Sequence, residues 1–351
     1  MALLFFETFN KYATGATGWT DLTNDNPDYT MGGASGPVVT GSQGRNGEQV
    51  LSYGVVAGRD ITVPFASVAS GNTVIMSALV RIGSTGGLSQ TRMQLFGGYT
   101  TAGGVTQNFR VSVTRTGQLV VDDPSGTQVA FSDAVMAADH WHVVEVKCLM
   151  ENAGTIEVRV DGATVINYSG DFLTGTGPRG YVRLFDGLDT CDVQWFAVMD
   201  ASGSYMNNFL GDLAISEVVP DADGATAAAW TASAGSNYQC VDDALGAYND
   251  DTDYISSSTT NQDNYVSMNG VTLTGLNTVK FAYHTALARN DGSGSIALLT
   301  ENNATVSASA DKTLTTSYAW KRKVDYLDPN TAAVWADAAA IDAAEWGVRY
   351  R

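Results

Sequence analysis

Asp221, Asp223, Asp250, Asp251 and Asp253 form two close groups of acids, and their spacing bears on chemistry. The stretches D-x-D-G and D-D-x-D bring hard carboxylate oxygens together, as Ca²⁺ requires. Neither runs on to the bidentate Glu of a complete EF-hand loop, and Asp also fills turns through local bonds to its own backbone. These residues nominate calcium as the one metal to weigh against plain turn chemistry, and no other cofactor is expected. Hydrolysis of a glycosidic bond takes two facing carboxylates, about 5–5.5 Å apart for retention and farther for inversion. Glu157 and Asp161 are four apart, with Asp161 in a turn. A structural role is expected for both, and the chain is expected not to be an enzyme. His140 and His142 flank Trp141 at i, i+2, on one side of a strand, and the sequence nominates no third metal ligand beside them. Trp19, Tyr29 and Tyr99 stand in loop-like or strand-end contexts and are candidates for stacking on sugar rings, as are Tyr53 and Tyr205. A large sandwich also consumes aromatics as core filler. Serine-hydrolase elbows, phosphate loops and dinucleotide fingerprints are absent.

The elements that must position these residues are organised around 141–166. Val144, Val146 and Cys148 alternate with Glu145 and Lys147; Ile156, Val158 and Val160 alternate with Glu157 and Arg159. Period-two alternation predicts two strands with one buried and one wet face. The link Glu151-Asn152-Ala153-Gly154 makes them an antiparallel hairpin, and Asp161-Gly162 supplies the positive φ angles of a tight turn. On the wet face, Glu145, Lys147, Glu157 and Arg159 are expected to form opposite-charge cross-strand pairs worth roughly 0.2–1 kcal/mol each.

Further strands are predicted at 3–9, 50–56, 59–65, 72–82, 91–99, 108–114, 118–121, 127–131, 180–185 and 191–199, and another over 209–219. The run NTVIMSALVRI at 72–82 is the most apolar and should be central. Pro220-Asp221-Ala222-Asp223-Gly224 is a turn cluster near the boundary. Beyond it, strands are expected at 263–268, 278–287, 294–299 and 317–326, then a short helix over 338–344 capped by Asp337, with Ile341 and Ala344 inward, and a last strand at 348–350.

The chain has 351 residues, 37 of them Gly, and only 16% are charged. Many short strands with glycine-rich turns fit that composition. Net charge is −18, which opposes nucleic acid and anionic membrane surfaces and favours solubility at high copy number. Three widely spaced cysteines, Cys148, Cys191 and Cys240, make no disulfide framework, so folding in a reducing cytosol is expected. The opening MALLFFETFNKY lacks the basic region and cleavage site of a signal peptide, and no apolar run reaches membrane-spanning length.

Two resemblances follow. The Trp141-His142 opening, the alternating V-E-V-K and the G-x-I-E-V-x-V-D-G of 154–162 resemble the central hairpin of concanavalin A-like lectin/glucanase domains, including laminin-G-like modules. This implies a jelly-roll sandwich over 1–212 and a histidine packed structurally at the strand start. Glucanases of that family commonly carry E-x-D-x-x-E on one strand, which does not occur here. The second resemblance covers 205–351. The ordered series FLGDLAISEVVPDADG, AAWTASAG, DDTDYISSSTTNQDNY and VDYLDPNTAAVWADAAAIDAAEWGVR is similar to the C-terminal part of structural proteins of tailed bacteriophages and prophages. It implies an all-β chain with a smaller β-domain over 213–351. It also implies a virion protein, tail- or fibre-associated, that presents the sandwich at the particle surface. Capsid decoration and glycan-binding receptor recognition are the alternatives. The implied partners are other virion proteins, further copies of the chain (a trimer by family analogy) and a host surface glycan.

Overall fold

The run Val74-Ile75-Met76-Ser77-Ala78-Leu79-Val80 is apolar on both of its alternating faces, which suits a strand covered on both sides. In the computed structural model every one of these residues is buried. The structure describes residues 3–12, 30–32, 38–41, 43–45, 47–53, 60–64, 73–83, 92–100, 106–174, 180–185, 190–226, 230–244, 247–248, 250–268, 270–271 and 278–351. The chain divides into two units, Met1–Leu213 and Ala214–Arg351.

In the first unit the described strands are β1 (Leu3–Thr8), β2 (Thr30–Gly32), β3 (Val38–Thr40), β4 (Val50–Tyr53), β5 (Asp60–Pro64), β6 (Thr73–Ile82), β7 (Arg92–Tyr99), β8 (Gln107–Thr114), β9 (Gln118–Asp122), β10 (Gln128–Ala134), β11 (Trp141–Leu149), β12 (Gly154–Val160), β13 (Ala163–Gly170), β14 (Tyr181–Leu184) and β15 (Cys191–Asp200). They make two antiparallel sheets. The first runs β13-β12-β11-β6-β15-β4-β3, with β1 also paired to β15; the second runs β10-β9-β8-β7-β14-β5-β2. The chain changes sheet repeatedly, as a jelly-roll sandwich does. The inward faces meet in an apolar core where Phe196 stacks on Phe5 at 5.1 Å and meets Phe185 edge-on at 6.3 Å. Gly98 belongs to that core: a Cβ there would lie 2.6 Å from the Phe109 ring.

The hairpin forms in the expected register, with Val144 opposite Val160 and Cys148 opposite Ile156. Asp161 and Gly162 take φ of 51° and 82°, the primed turn that matches strand twist. Its outer face differs from the expectation. Glu145 is 1% exposed, and its carboxylate accepts from Ser77 Oγ at 2.9 Å and from the backbone N–H groups of Leu210 and Gly211 at 2.8 and 3.0 Å. Residues 209–219 form no strand; instead the segment 203–213 leaves β15 and lies over this face. Phe209 sits under the Arg159 guanidinium at 4.0 Å, Lys147 donates to Asn208, and Arg45 makes a two-pronged pair with Asp212. The cause is the outer surface beneath: Ile75, Leu79, Trp195 and Met199 are all 0% exposed, and such large apolar groups call for cover. Arg159 therefore bonds Glu157, two residues back on its own strand, instead of Glu145. Glu157 is held below the ordinary carboxylate range. Partial burial pushes upward, but bonds from Thr164 and Arg159 and the charges of Arg159 and Lys147 outweigh it.

The second unit contains β16 (Ala222–Asp223), β17 (Thr231–Ala232), β18 (Ile255–Ser256), β19 (Asp263–Ser267), β20 (Ala282–Ala288), β21 (Ser295–Asn302), β22 (Thr305–Ala308), β23 (Lys312–Thr313), β24 (Ala319–Asp325) and β25 (Glu345–Tyr350). Its main sheet runs β16-β19-β25-β21-β22, with β23 also on β21, and β20 pairs with β24 as a separate ribbon. The short helix α1 (Ala338–Asp342) starts where expected: the Asp337 carboxylate accepts from Ala340 N–H. Ile341 and Ala344 turn inward against Trp335 and Trp346, whose rings stack at 6.0 Å. The hairpin β21–β22 was not expected, since its turn, Asn303-Ala304, has no glycine, yet both residues take positive φ. Between ribbon and sheet the interior is polar. Lys323 Nζ lies 2.5 and 2.6 Å from the two Asp325 carboxylate oxygens, and Thr300 and Ser307 also donate to that carboxylate. The protein is thus all-β: a concanavalin A-like jelly roll followed by a smaller β-sandwich with one short helix near its end.

Candidate functional site

The outer face of the second sheet carries charge that the sequence does not reveal as a group. Antiparallel register places directly opposed residues on one face. Reading across β5, β14, β7, β8, β9 and β10 gives a single row: Thr62, Arg183, Gly97, Arg110, Asp122, Gln128. The neighbouring row is Gln94, Ser112, Val120, Phe131. Asp122 is fully buried, and both of its oxygens are held, one by Arg92 at 3.0 Å and the other by Arg110 at 2.6 Å. A desolvated carboxylate is tolerable only with such charge-assisted partners. The two guanidinium side chains remain about a third exposed, at 35% and 36%. Arg92 also reaches Gln128. At the other end of the row Arg183 pairs with Asp60 at 3.0 Å and lies over the Tyr99 ring at 4.9 Å. Three arginines thus cluster around two aspartates in a chain of net −18, and a third acid of these strands, Asp133, is exposed near the end of β10. Phe131, 64% exposed, ends the second row as an open ring. Cationic hydrogen-bond donors next to an exposed aromatic plate suit a ring-shaped, oxygen-rich ligand.

The residues nominated from sequence are placed elsewhere or differently. Trp19 and Tyr29 lie outside the described residues. Tyr99 is 5% exposed and its hydroxyl donates to Gln94, so its ring is floor under Arg183 and offers no face for sugar stacking. Tyr53 is likewise buried, and Tyr205 is exposed. Asp223 and Asp251 are engaged separately. Asp223 accepts from Tyr238 N–H, whereas Asp251 accepts from Arg289 and from the Tyr318 hydroxyl, and the same guanidinium bridges to Asp291. A guanidinium thus occupies the place a cation would take at Asp251. Among the described residues no group of three or more His, Cys, Asp or Glu is arranged to hold a metal, so the calcium expectation has no site there. His142 is structural: Asp161 bonds its Nδ1 at 2.8 Å, and its Nε2 accepts from Ala137 N–H. The three cysteines are free and buried, and burial raises the thiol pKa of Cys148 and Cys191. Sequence reasoning missed Arg92, Arg110, Arg183, Asp122 and Phe131, which come from strands up to 91 positions apart. The one available signal was the outward parity of Arg110 and Asp122 on adjacent strands.

Neither a family model nor a curated protein matches the chain. Solved structures do. The endo-β-1,4-glucuronan lyase of the fungus Trichoderma reesei matches at 12% identity and TM-score 0.40, over 56% of this chain and 95% of that one. Trypanosoma rangeli sialidase matches at 14% and 0.38, over 56% of this chain and 30% of its own. The carbohydrate recognition domain of Emp46p, in its potassium-bound form, matches at 12% and 0.35, over 55% and 98%. At these values the likeness describes the fold. The expectation that the chain is not an enzyme is withdrawn. That expectation rested on one missing hydrolase motif, and the structures of similar fold include lyases and a sialidase. A lyase breaks its bond by elimination, so the absence of a paired-carboxylate signature does not bear on it.

Proposed function

We propose that this chain is a surface component of a tailed-phage particle and that its first unit recognises a host glycan through the outer face of the second sheet. The observation that carries the glycan reading is the pair of rows just described: three partly open arginines, anchored by buried aspartates, beside an exposed phenylalanine. The virion reading is supported by the ordered motif series of 205–351, which resembles phage structural proteins. In this reading the second unit joins the chain to other virion proteins, and the sandwich faces outward at the tail or a fibre.

Two experiments test it. Mass spectrometry of purified particles should find the chain, and immunogold with antibody to residues 1–212 should label the tail tip. Label spread over the head would move the protein to capsid decoration, and absence from particles would remove the virion reading. On a glycan array the full chain should retain specific glycans, and Phe131→Ala should weaken retention about tenfold, the loss of roughly 1–1.5 kcal/mol of ring contact.

A further inference from the structure

The ribbon β20–β24 meets the main sheet of the second unit through a face that carries few large apolar groups. Strand alternation puts Ala282, His284, Ala286 and Ala288 of β20 on that face, opposite Asp325, Lys323, Lys321 and Ala319 of β24. The alanines make the apolar contacts. Ala282 packs on the cluster of Trp335 and Trp346, and Ala286 and Ala288 pack on that of Ile296 and Leu298. An alanine side chain brings little area, so apolar burial holds this face of the ribbon weakly. What fastens it is a polar cluster. Lys323 pairs with Asp325 at 2.5 Å, and Thr300 of β21 and Ser307 of β22 donate to the same carboxylate at 2.7 and 3.0 Å. Lys323 also donates to Thr300 Oγ1 at 2.8 Å. An element held by few apolar contacts can open while its neighbours stay folded.

His284 sits inside this cluster with its bonding half complete. The imidazole is bonded to the Leu299 backbone of β21, while its buried Nδ1 has no hydrogen-bond partner. A neutral ring leaves only a lone pair there; a protonated ring puts an N–H group and a charge in the same place. The charged groups that act on the ring are Lys323, which opposes the proton, and Asp325, which favours it. Asp325 is already engaged by Lys323, Thr300 and Ser307, and Lys321 is a further cation on the same face. The side chains that β21, β22 and β25 bring to the cluster, Thr300, Ser307 and Trp346, carry no charge. A buried cation without an acceptor is strongly unfavourable. We infer that the ribbon β20–β24 is a proton-controlled flap, closed while His284 is neutral and released from the main sheet when His284 takes up a proton. Release bares Ile296, Leu298 and Trp346, while the ladder β16-β19-β25-β21-β22 keeps its own backbone pairing. The device is independent of the arginine row, which belongs to the other unit.

The test is hydrogen exchange of the full chain, read by mass spectrometry from pH 7 to pH 4 and corrected for the intrinsic pH dependence of amide exchange. In the closed flap the His284 pKa is pushed down to about 4, by burial first and then by the Lys323 charge, whereas a released imidazole titrates near 6.5. Each pH unit lost between those values should therefore lower the protection of β20 and β24 about tenfold. Amides of β19 and β25 should stay at least about a hundredfold better protected than those of the ribbon throughout. In His284→Gln, ribbon protection should no longer follow pH; His284→Asn serves in its place if the glutamine variant does not fold. One shared protection for ribbon and sheet at every pH would mean a single cooperative unit and would overturn the flap. Wild-type ribbon protection that ignores pH, or that follows it equally in the His284 variant, would overturn the proton control.

Discussion

Glu145 and His284 show how much single buried polar groups are asked to do. The Glu145 carboxylate is the anchor of the segment 203–213, with one hydroxyl and two backbone N–H groups directed at it. Glu145→Ala would leave those three donors unpaired under cover, and a loss of about 2–4 kcal/mol is expected. Urea unfolding of the first unit reads it, and limited proteolysis should open the chain first within 203–213. His284 lies opposite Lys323, faces Asp325 and meets the Trp346 ring edge-on at 5.8 Å. Its pKa is pushed down to about 4, by burial first and then by the Lys323 charge; Asp325 and a backbone bond from Leu299 act the other way without prevailing. In the unfolded chain the same imidazole titrates near 6.5. The unfolded state therefore takes up the proton first as pH falls, and stability drops from about pH 6.5 until about pH 4, then levels off for this group. The gap corresponds to about 3 kcal/mol. Melting curves of the second unit across that range should show the decline, and His284→Gln should flatten it. A wild-type melting temperature constant from pH 7 to 4.5 would remove the assignment.

At the level of elements, what was legible in the sequence was periodic or local. The hairpin β11–β12, the turn at Asp161-Gly162 and the Asp337 cap all announce themselves within a few residues, and each formed in place. Three features lacked such a signal. The segment 203–213 is held by backbone amides, and any sequence carries those. The arginine row is assembled from β5, β7, β8, β9, β10 and β14, so no window of the chain contains it. The hairpin β21–β22 turns on Asn303-Ala304, where an alanine takes φ of 62° without the glycine that usually marks such a turn. That last case has a measurable cost. A left-handed conformation is unfavourable by roughly 1–2 kcal/mol for a residue with a Cβ. Ala304→Gly should therefore stabilise the second unit by up to about 1 kcal/mol, once the greater freedom of glycine in the unfolded chain is set against the relief. A lower urea midpoint for that variant would mean the turn is not in the described conformation. Asp337→Ala works in the other direction and should cost about 1 kcal/mol by removing the cap on α1.

For the whole molecule, the net charge of −18 and the clustered guanidinium groups of Arg92, Arg110 and Arg183 on the second sheet make opposite demands on an acidic ligand. At long range the protein repels it; in contact, three guanidinium groups attract it. Salt separates the two. The screening length is about 30 Å at 0.01 M and about 10 Å at 0.1 M. Raising ionic strength across that interval removes repulsion from charges spread over the surface, while contacts of about 3 Å to partly buried arginines are screened much less. Association with an acidic polymer should therefore become faster between 10 and 100 mM salt, by a few-fold, before direct screening slows it at higher concentration. A surface whose overall field attracts its ligand shows the reverse, a steady fall from the lowest salt upward. Stopped-flow association rates measured from 10 mM to 1 M sodium chloride would distinguish the two. A maximum at intermediate salt is the signature of a confined cluster of guanidinium groups in an anionic protein. A monotonic decline would place the binding outside the row of Arg183, Gly97 and Arg110, on a surface whose charge is not held in check by the rest of the chain.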